Sequence, residues 1–392
     1  MNKDVLNSDV QEYINNKIND TISDLALKGT SFVKVNTKEI IEQIEAKKHS
    51  EHKLPTWFHS KNIYYPNKLN IEQTSSERTA QYKASCISGT YVVDVTGGFG
   101  VDAYYFSKKT DKVIHCEIDS RLSAIVAHNY GVLKVDNIQA INEDGIQFVK
   151  NSKIFFDWIY IDPSRRHNTK GKVFLLKDCL PKVPEHLAML FEHTNNIMIK
   201  TSPLLDISMG LNELKNVKTI HVVAVNNDVK ELLWVLEKGH TKGISIQTIN
   251  FKKNEEEQFH FNFEDEKQDA IILSHPLAYL YEPNSAILKA GGFNSIAIKL
   301  VLSKLHKHSH LYTSDDLLDF PGRVFKVLKS IPYNKRTLKK AGFYKANITT
   351  RNFPESVEQI RKKFKIVHGG DLYLFFSTNL NNEKIILVCN KP

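Results

Sequence analysis

DVTGGFG, residues Asp94 to Gly100, closes the apolar run YVV at residues 91–93 and opens onto VDAYYF, which reads as a helix starting near Val101. Gly97, Gly98 and Gly100 let the chain turn tightly and bring its backbone within contact distance of a ligand. A strand that ends in such a bend and runs into a helix is the opening unit of an α/β sheet, and ligands of these sheets lie beyond the carboxyl ends of the strands. By itself the bend suits a structural βα turn or a dinucleotide site equally well. The flanking strands have to decide what it holds.

Working outward from the bend, short β-rich runs alternate with helical stretches: YVVDVT, KVIHCEI, IQAIN, DWIYID, NIMIKTS and TIHVVAV. That alternation predicts a parallel sheet flanked by helices. Glu117 ends the second run about 20 residues on, where a carboxylate accepts both hydrogen bonds of a ribose diol; the alternative is a plain surface acid. Asp144, in NEDGIQF after the third run, stands where a carboxylate accepts from an adenine amino group while Gly145 and Ile146 pack the base. Asn142, Glu143 and Asp144 also suit a simple polar turn. IDPSRR, Ile161 to Arg166, completes the set at the end of the fourth run.

Together these elements resemble the ordered motifs of class I S-adenosylmethionine (SAM) methyltransferases: Asp-x-x-Gly-Gly-x-Gly, an acid ending strand two, Asp after strand three and Asp-Pro after strand four. The similarity covers about Thr90 to Gly239. It implies a Rossmann-like seven-stranded sheet, with Asp94, Thr96, Gly97, Gly98, Gly100, Glu117, Ile118, Asp144 and Gly145 around SAM, and Asp162, Pro163 and Ser164 at the reacting end. Asp94 would receive the ammonium group of the cofactor, assisted by Asp102 unless that residue only complements its helix dipole. A dinucleotide oxidoreductase fits less well, because its fingerprint is G-x-G-x-x-G and here the order is G-G-x-G.

Methyltransferases of base amino groups carry Asp/Asn-Pro-Pro-aromatic after strand four. Here Ser164 replaces the second proline and Arg165 the aromatic residue. Arg165 and Arg166 suit base stacking or phosphate binding, or else salt bridges within the loop. Asp162 is the candidate to orient or deprotonate the nucleophile, or alternatively to cap a turn. A pyrimidine C5 mechanism would need a nucleophilic cysteine, and Cys116 and Cys179 read as core.

The order EQTSSERTAQYKA, DVTGGFGVDA, IDPSRR, YEPNSAILKAG and a basic tail is similar to a bacterial group of methyltransferases with a carboxy-terminal THUMP-like domain. This resemblance spans most of the chain. It implies an RNA substrate, tRNA or rRNA, because THUMP modules accompany RNA-modifying enzymes.

The outer parts of the chain divide accordingly. Residues 1–88 read as an N-terminal helical region, from spacings such as Val10, Ile14, Ile18, Ile22, with Ser75 or Ser76 capping a helix that carries Thr79 and Lys83. Residues 89–254 form the methyltransferase domain, in which a helix is expected around Val229–Leu236 and SIQTINFK is expected as the antiparallel seventh strand. An acidic stretch at 255–269 marks a boundary, with a strand at HFNF. Residues 270–322 read as a small ferredoxin-like or connecting subdomain whose Pro283 and Gly291/Gly292 bracket a short helix. Residues 323–392 read as a basic THUMP-like α+β domain with helices at Arg323–Leu328 and Ser356–Phe364 and a hairpin turned at Asn381 and Asn382.

Composition agrees with a globular chain: 41% of the 392 residues are hydrophobic and 25% charged. The four cysteines are far apart, which argues against disulfides and structural zinc, and no metal is expected. No apolar run reaches the ~18 residues of a membrane span and the start lacks a secretory h-region, so a cytoplasmic protein is expected. The net charge is +9, yet Pro321 to Gly370 alone holds 13 Lys or Arg against two acids, a local +11 that leaves about −2 for the remainder. Lys339, Lys340, Arg361, Lys362 and Lys363, with Phe343 and Tyr344 interleaved, are expected to contact an RNA backbone, the alternative being a solvated face. Methylation of a protein or small molecule, or RNA binding by a noncatalytic methyltransferase fold, are the competing functional readings.

Overall fold

Asp94 and its bend lie at the end of the central strand of a parallel sheet, and the sheet explains their position. The structure, a computed structural model, describes residues 1–165, 175–267 and 271–392. The chain forms two units: Met1–Val217 with Leu233–Thr241, and Lys218–Leu232 with Lys242–Pro392.

In the first unit, β1 (Tyr91–Asp94) pairs in parallel with β2 (Lys112–Cys116) on one side and β4 (Trp158–Ile161) on the other. Outside these lie β3 (Ile138–Ile141) and β5 (Asn196–Thr201), also parallel. The order β3-β2-β1-β4-β5 reverses direction at β1, which places the switch point between β1 and β4. Strands buried on both faces read as unbroken apolar runs, as Val92–Val93 and Ile197–Ile199 do.

The first 85 residues pack into the same core as this sheet: Ile40, Ile44 and Trp57 join Val92, Phe106 and Tyr130 in one cluster. Helices α1 (Ser8–Asn16), α2 (Ile22–Lys28), α3 (Thr37–Ser50), α4 (Pro55–His59), α5 (Lys68–Gln73) and α6 (Glu77–Ser85) account for the apolar spacing. Ser76, rather than Ser75, caps α6 by accepting from the Thr79 N–H. Paired amide bonds fix the intervening tract. Gln43 exchanges hydrogen bonds with the Tyr65 backbone, and Asn129 on α8 (Ser120–Val132) does the same with Tyr64.

In the second unit, except for Val217 and the residues from Leu233 onward, which belong to the first, β6 (Val217–Val225) turns into β7 (Asp228–Glu237) through Asn226 and Asn227, both at positive φ (50° and 62°). This two-residue hairpin makes β7 the antiparallel strand, and the segment expected as a helix at Val229–Leu236 is extended. The error has a physical source: Leu232 to Leu236 are all buried, and an uninterrupted apolar run carries no periodicity to separate strand from helix. The Asn-Asn turn was the legible signal. SIQTINFK is a strand, β8 (Ser245–Phe251), but it runs parallel to β6 and is not the antiparallel member. With β9 (Glu256–Asn262) antiparallel to β8, it adds two strands to the seven-stranded pattern.

The rest of this unit is a seven-stranded sheet in the order β11-β12-β10-β13-β16-β15-β14. Its members are β10 (Tyr279–Pro283), β11 (Ser303–Lys304), β12 (Tyr312–Ser314), β13 (Gly322–Pro332), β14 (Asn347–Thr350), β15 (Tyr373–Thr378) and β16 (Lys384–Asn390). The helix expected at Arg323–Leu328 is the first part of β13, held by β10 and β16; β-branched Val324 and Val327 favour the extended form. Alternation along β15 and β16 divides the core: Phe375 and Leu387 join Leu280 and Phe325 on one face. After α10 (Val183–His193) and α11 (Ile207–Glu213) of the first unit and α12 (Ser285–Ala290) and α13 (Ser295–Lys299) of the second come α14 (Lys335–Ala341) and α15 (Val357–Phe364), and Leu374, Phe376, Ile386 and Val388 pack the other face against Leu338 of α14 and Ile360 of α15.

Candidate functional site

Gly98 and Gly100 adopt φ of 55° and 78°, and Gly100 caps α7 (Val101–Phe106), so the bend needs glycine on backbone grounds alone. The three glycines nevertheless do different things. A Cβ on Gly97 would lie 2.2 Å from His115 Nε2, and one on Gly100 2.2 Å from the Tyr130 hydroxyl oxygen, so both positions are filled by protein side chains. Gly98 alone is open, its Cβ position meeting nothing nearer than the Thr96 carbonyl at 3.9 Å. Gly97 and Gly100 are thus held to glycine by close protein contact, while the Cβ side of Gly98 is open.

Beside it, Glu117 Oε2 accepts from the Gly98 N–H at 2.8 Å and Oε1 accepts from the Asp119 N–H at 2.7 Å. Burial pushes this carboxyl up while those backbone donors oppose the shift. Ile118, next in sequence, is 72% exposed. Asn142 ties the carbonyls of Glu117 and Ile118 to the end of β3. Asp144 Oδ1 caps α9 (Gly145–Asn151) by accepting from Ile146 and Gln147 N–H, and Oδ2 makes no hydrogen bond among the described residues. Gly145 packs so closely on β1 that a Cβ would lie 2.3 Å from the Val95 carbonyl oxygen.

At the switch point the bend and the fourth strand are joined directly. The Asp162 N–H donates to Thr96 Oγ1 at 2.7 Å, and Asp94 Oδ1 accepts from the Thr96 N–H at 3.0 Å. Asp94 is buried, and desolvation lifts its carboxyl well above the ordinary range, reinforced by the charges of Asp102, Asp162 and Glu117. Asp162 Oδ2 receives a 2.6 Å hydrogen bond from Lys200 Nζ, on β5. Burial raises the Asp162 carboxyl, and Lys200 draws it part of the way back. Pro163 is buried and Ser164 exposed, the latter in a two-residue ladder with Leu180. The Arg165 side chain and all of Arg166 lie outside the described residues.

Behind these groups is a polar cluster that sequence reading did not assemble. Asp102 Oδ2 accepts from Ser75 Oγ and from the Tyr160 hydroxyl, both at 2.8 Å. Lys83, with no exposed surface, donates to Ser75 Oγ at 2.9 Å and lies 3.2 Å from Asp102 Oδ1, an ion pair out of line for a hydrogen bond. Asp102 is therefore neutralised from the N-terminal helices. His115, under the bend, has no well-formed hydrogen bond on either ring nitrogen among the described residues, and burial, opposed in part by the Gly97 and Gly98 backbone, lowers its pKa to about 4, leaving the ring neutral. Lys200 and Lys83 are the ionic partners that sequence reading missed. For Lys200 a signal existed, a charged residue at the carboxyl end of an otherwise buried strand.

In the second unit the basic residues separate into two kinds. Lys339 and Lys340 on α14 and Lys362 on α15 are exposed, with no ion-pair partner among the described residues. Arg361 instead donates to the carbonyls of Ile366 and Ala346 (both 3.1 Å), and Lys363 is paired with Glu355 at 3.0 Å. Tyr344 is 75% exposed, whereas Phe343 packs on the core. Among the described residues no group of His, Cys, Asp and Glu could hold a metal ion, and no helix is long and apolar enough to cross a membrane. Cys116, Cys179 and Cys389 are buried, and Cys86 is half-buried.

Comparison with known proteins follows from this geometry. A ferredoxin-like domain family matches residues 279–321 and a THUMP domain-like family residues 322–391. No curated protein matches the chain. A crystal structure from Porphyromonas gingivalis W83, described as a "putative methyltransferase", superposes with a TM-score of 0.88 at 30% identity, over 99% of this chain and 98% of that one. Two smaller proteins overlap less than half of the chain. One is an rRNA methylase from Streptococcus thermophilus (15% identity, TM-score 0.30, 41% of this chain and 94% of that one). The other is M. capricolum TrmK with S-adenosyl-homocysteine (15%, 0.33, 45% and 70%). The chain belongs to the same family as the P. gingivalis protein, in which a Rossmann-like class I methyltransferase sheet is joined to ferredoxin-like and THUMP-like domains.

Proposed function

We propose that this protein is a SAM-dependent methyltransferase acting on RNA, tRNA or rRNA, at a base nitrogen. The observation that carries the reading is the Asp162–Thr96 link, which sets a carboxylate beside the glycine bend at the β1/β4 switch point. The residues present fit the cofactor: Gly98 leaves the open position within the bend, and Glu117 and Asp144 retain acceptor lone pairs, with Ile118 exposed. In this reading Glu117 holds the ribose diol, Asp144 the adenine amino group, Ile118 a face of the base, and Asp94 with Thr96 and Gly97 the amino acid end. When bound, SAM supplies a methyl group activated by its sulfonium charge.

The chain itself has to position a nucleophile. Asp162, ion-paired with Lys200, is held as an acceptor that orients an N–H of the target base, with Pro163 and Ser164 shaping the approach and Arg165 and Arg166, next in sequence, as substrate contacts. A base in a duplex would have to be flipped out to reach it. The exposed Lys339, Lys340 and Lys362 support RNA over a neutral substrate, with Arg361 and Lys363 contributing through the fold of that face. The protein would act in the cytoplasm, with domains at 1–88, 89–254, 270–322 and 323–392. Asp162→Ala is expected to abolish methyl transfer while SAM affinity, followed by calorimetry, stays within about twofold of wild type. Unchanged turnover with radiolabelled SAM and RNA would refute the assignment.

A further inference from the structure

Glu282, in YEP on β10, has a side chain only 3% exposed and faces two cations. Arg323, its register partner on β13, donates through Nε (2.7 Å) and through Nη2 to Glu282 Oε2. Arg351, just beyond β14, places Nη2 2.8 Å from Oε1. One buried carboxylate thus braces two guanidinium groups, and the assembly keeps a net charge of +1. Gly322 makes the approach feasible, since a Cβ there would lie 2.2 Å from the Glu282 carbonyl oxygen. The Arg323 guanidinium also lies over the rings of Phe325 (5.4 Å) and Phe375 (6.0 Å) and reaches Thr349 Oγ1.

Burying a carboxylate is costly unless it is fully paired, and the two guanidinium groups supply that pairing. Here both arginines stay open to solvent, with side chains 48% and 36% exposed. Each also keeps donors in hand. Arg323 Nη1 makes no hydrogen bond among the described residues, and Arg351 Nη1 makes only a long, 3.5 Å contact with the Thr350 carbonyl. Rigid, planar, outward-facing guanidinium groups with unused N–H donors match the geometry of a phosphate.

We infer that Arg323 and Arg351, braced by Glu282, form a clamp for a backbone phosphate of RNA. The clamp rests on the RNA reading above and is separate from Lys339 and Lys340, which lie on α14. Its test is the binding of a fluorescein-labelled oligouridylate to the full chain over a series of salt concentrations. Arg323→Gln and Arg351→Gln are each expected to flatten the plot of log affinity against log salt by about 0.7, while Arg323→Lys leaves the slope unchanged. Phenylglyoxal footprinting by mass spectrometry reads the wild-type protein directly, so a variant that does not fold leaves the test intact. Protection of Arg323 and Arg351 by the oligouridylate is expected. Binding by wild type with unchanged slopes and no protection would overturn the clamp alone. Absence of oligouridylate binding, with no methyl transfer to RNA, would overturn the RNA reading and the clamp with it.

Discussion

Lys200 is preceded on β5 by three buried apolar residues and ends with its ammonium 2.6 Å from Asp162. Replacing it with Met removes the charge that counters burial, so the Asp162 carboxyl moves up, and any step requiring the ionised form weakens as pH falls. Lys200→Met is therefore expected to shift the acidic limb of the pH–rate profile upward, with Lys200→Arg restoring it and SAM affinity unchanged. A profile displaced equally by both variants would show that Lys200 acts only through packing. The glycines make a second residue-scale contrast. Gly97→Ala drives a methyl group into buried His115 and is expected to cost about 1–3 kcal/mol in denaturant unfolding, relieved in part by His115→Ala. Gly98→Ala meets no side chain; it carries only the ~1–2 kcal/mol of a left-handed alanine and is expected to lose SAM affinity in calorimetry.

At the scale of elements, what a charged residue does depends on where its helix or strand ends. Arg361 lies in the last turn of α15 and satisfies carbonyls at Ile366 and Ala346, so Arg361→Ala is expected to lower the melting temperature. Lys339→Glu with Lys340→Glu, on exposed positions of α14, is expected to leave melting unchanged and to weaken RNA retention. Equal loss of stability in both would remove the distinction. Sequence could not separate these residues, because all are basic and share helical spacing; only the carbonyls that reach Arg361 and the Glu355 that meets Lys363 divide them. The β6–β7 hairpin was misread for a related reason: burial on both faces erased its alternation, and only the Asn226–Asn227 turn still marked it.

For the whole molecule, charge is distributed as sharply as structure: residues 321–370 hold +11 while the remainder is near −2. RNA affinity is expected to fall steeply between low and physiological salt, whereas SAM affinity, set by local hydrogen bonds, stays nearly flat; parallel salt titrations by fluorescence and calorimetry check this, and a flat RNA response would contradict a phosphate-based contact. The sequence by itself determined the parallel sheet, the order of Asp94, Glu117, Asp144 and Asp162 along it, and the basic bias of the C-terminal part. These are local properties: apolar runs, glycine bends and acids at strand ends are written in consecutive residues. Tertiary structure alone decided that Lys200 answers Asp162, that Lys83 from the N-terminal helices answers Asp102, and that Arg323 and Arg351 meet on Glu282. Those partners are separated along the chain by between 19 and 69 residues, and electrostatic pairing depends on distance in space, which no spacing rule in the sequence records.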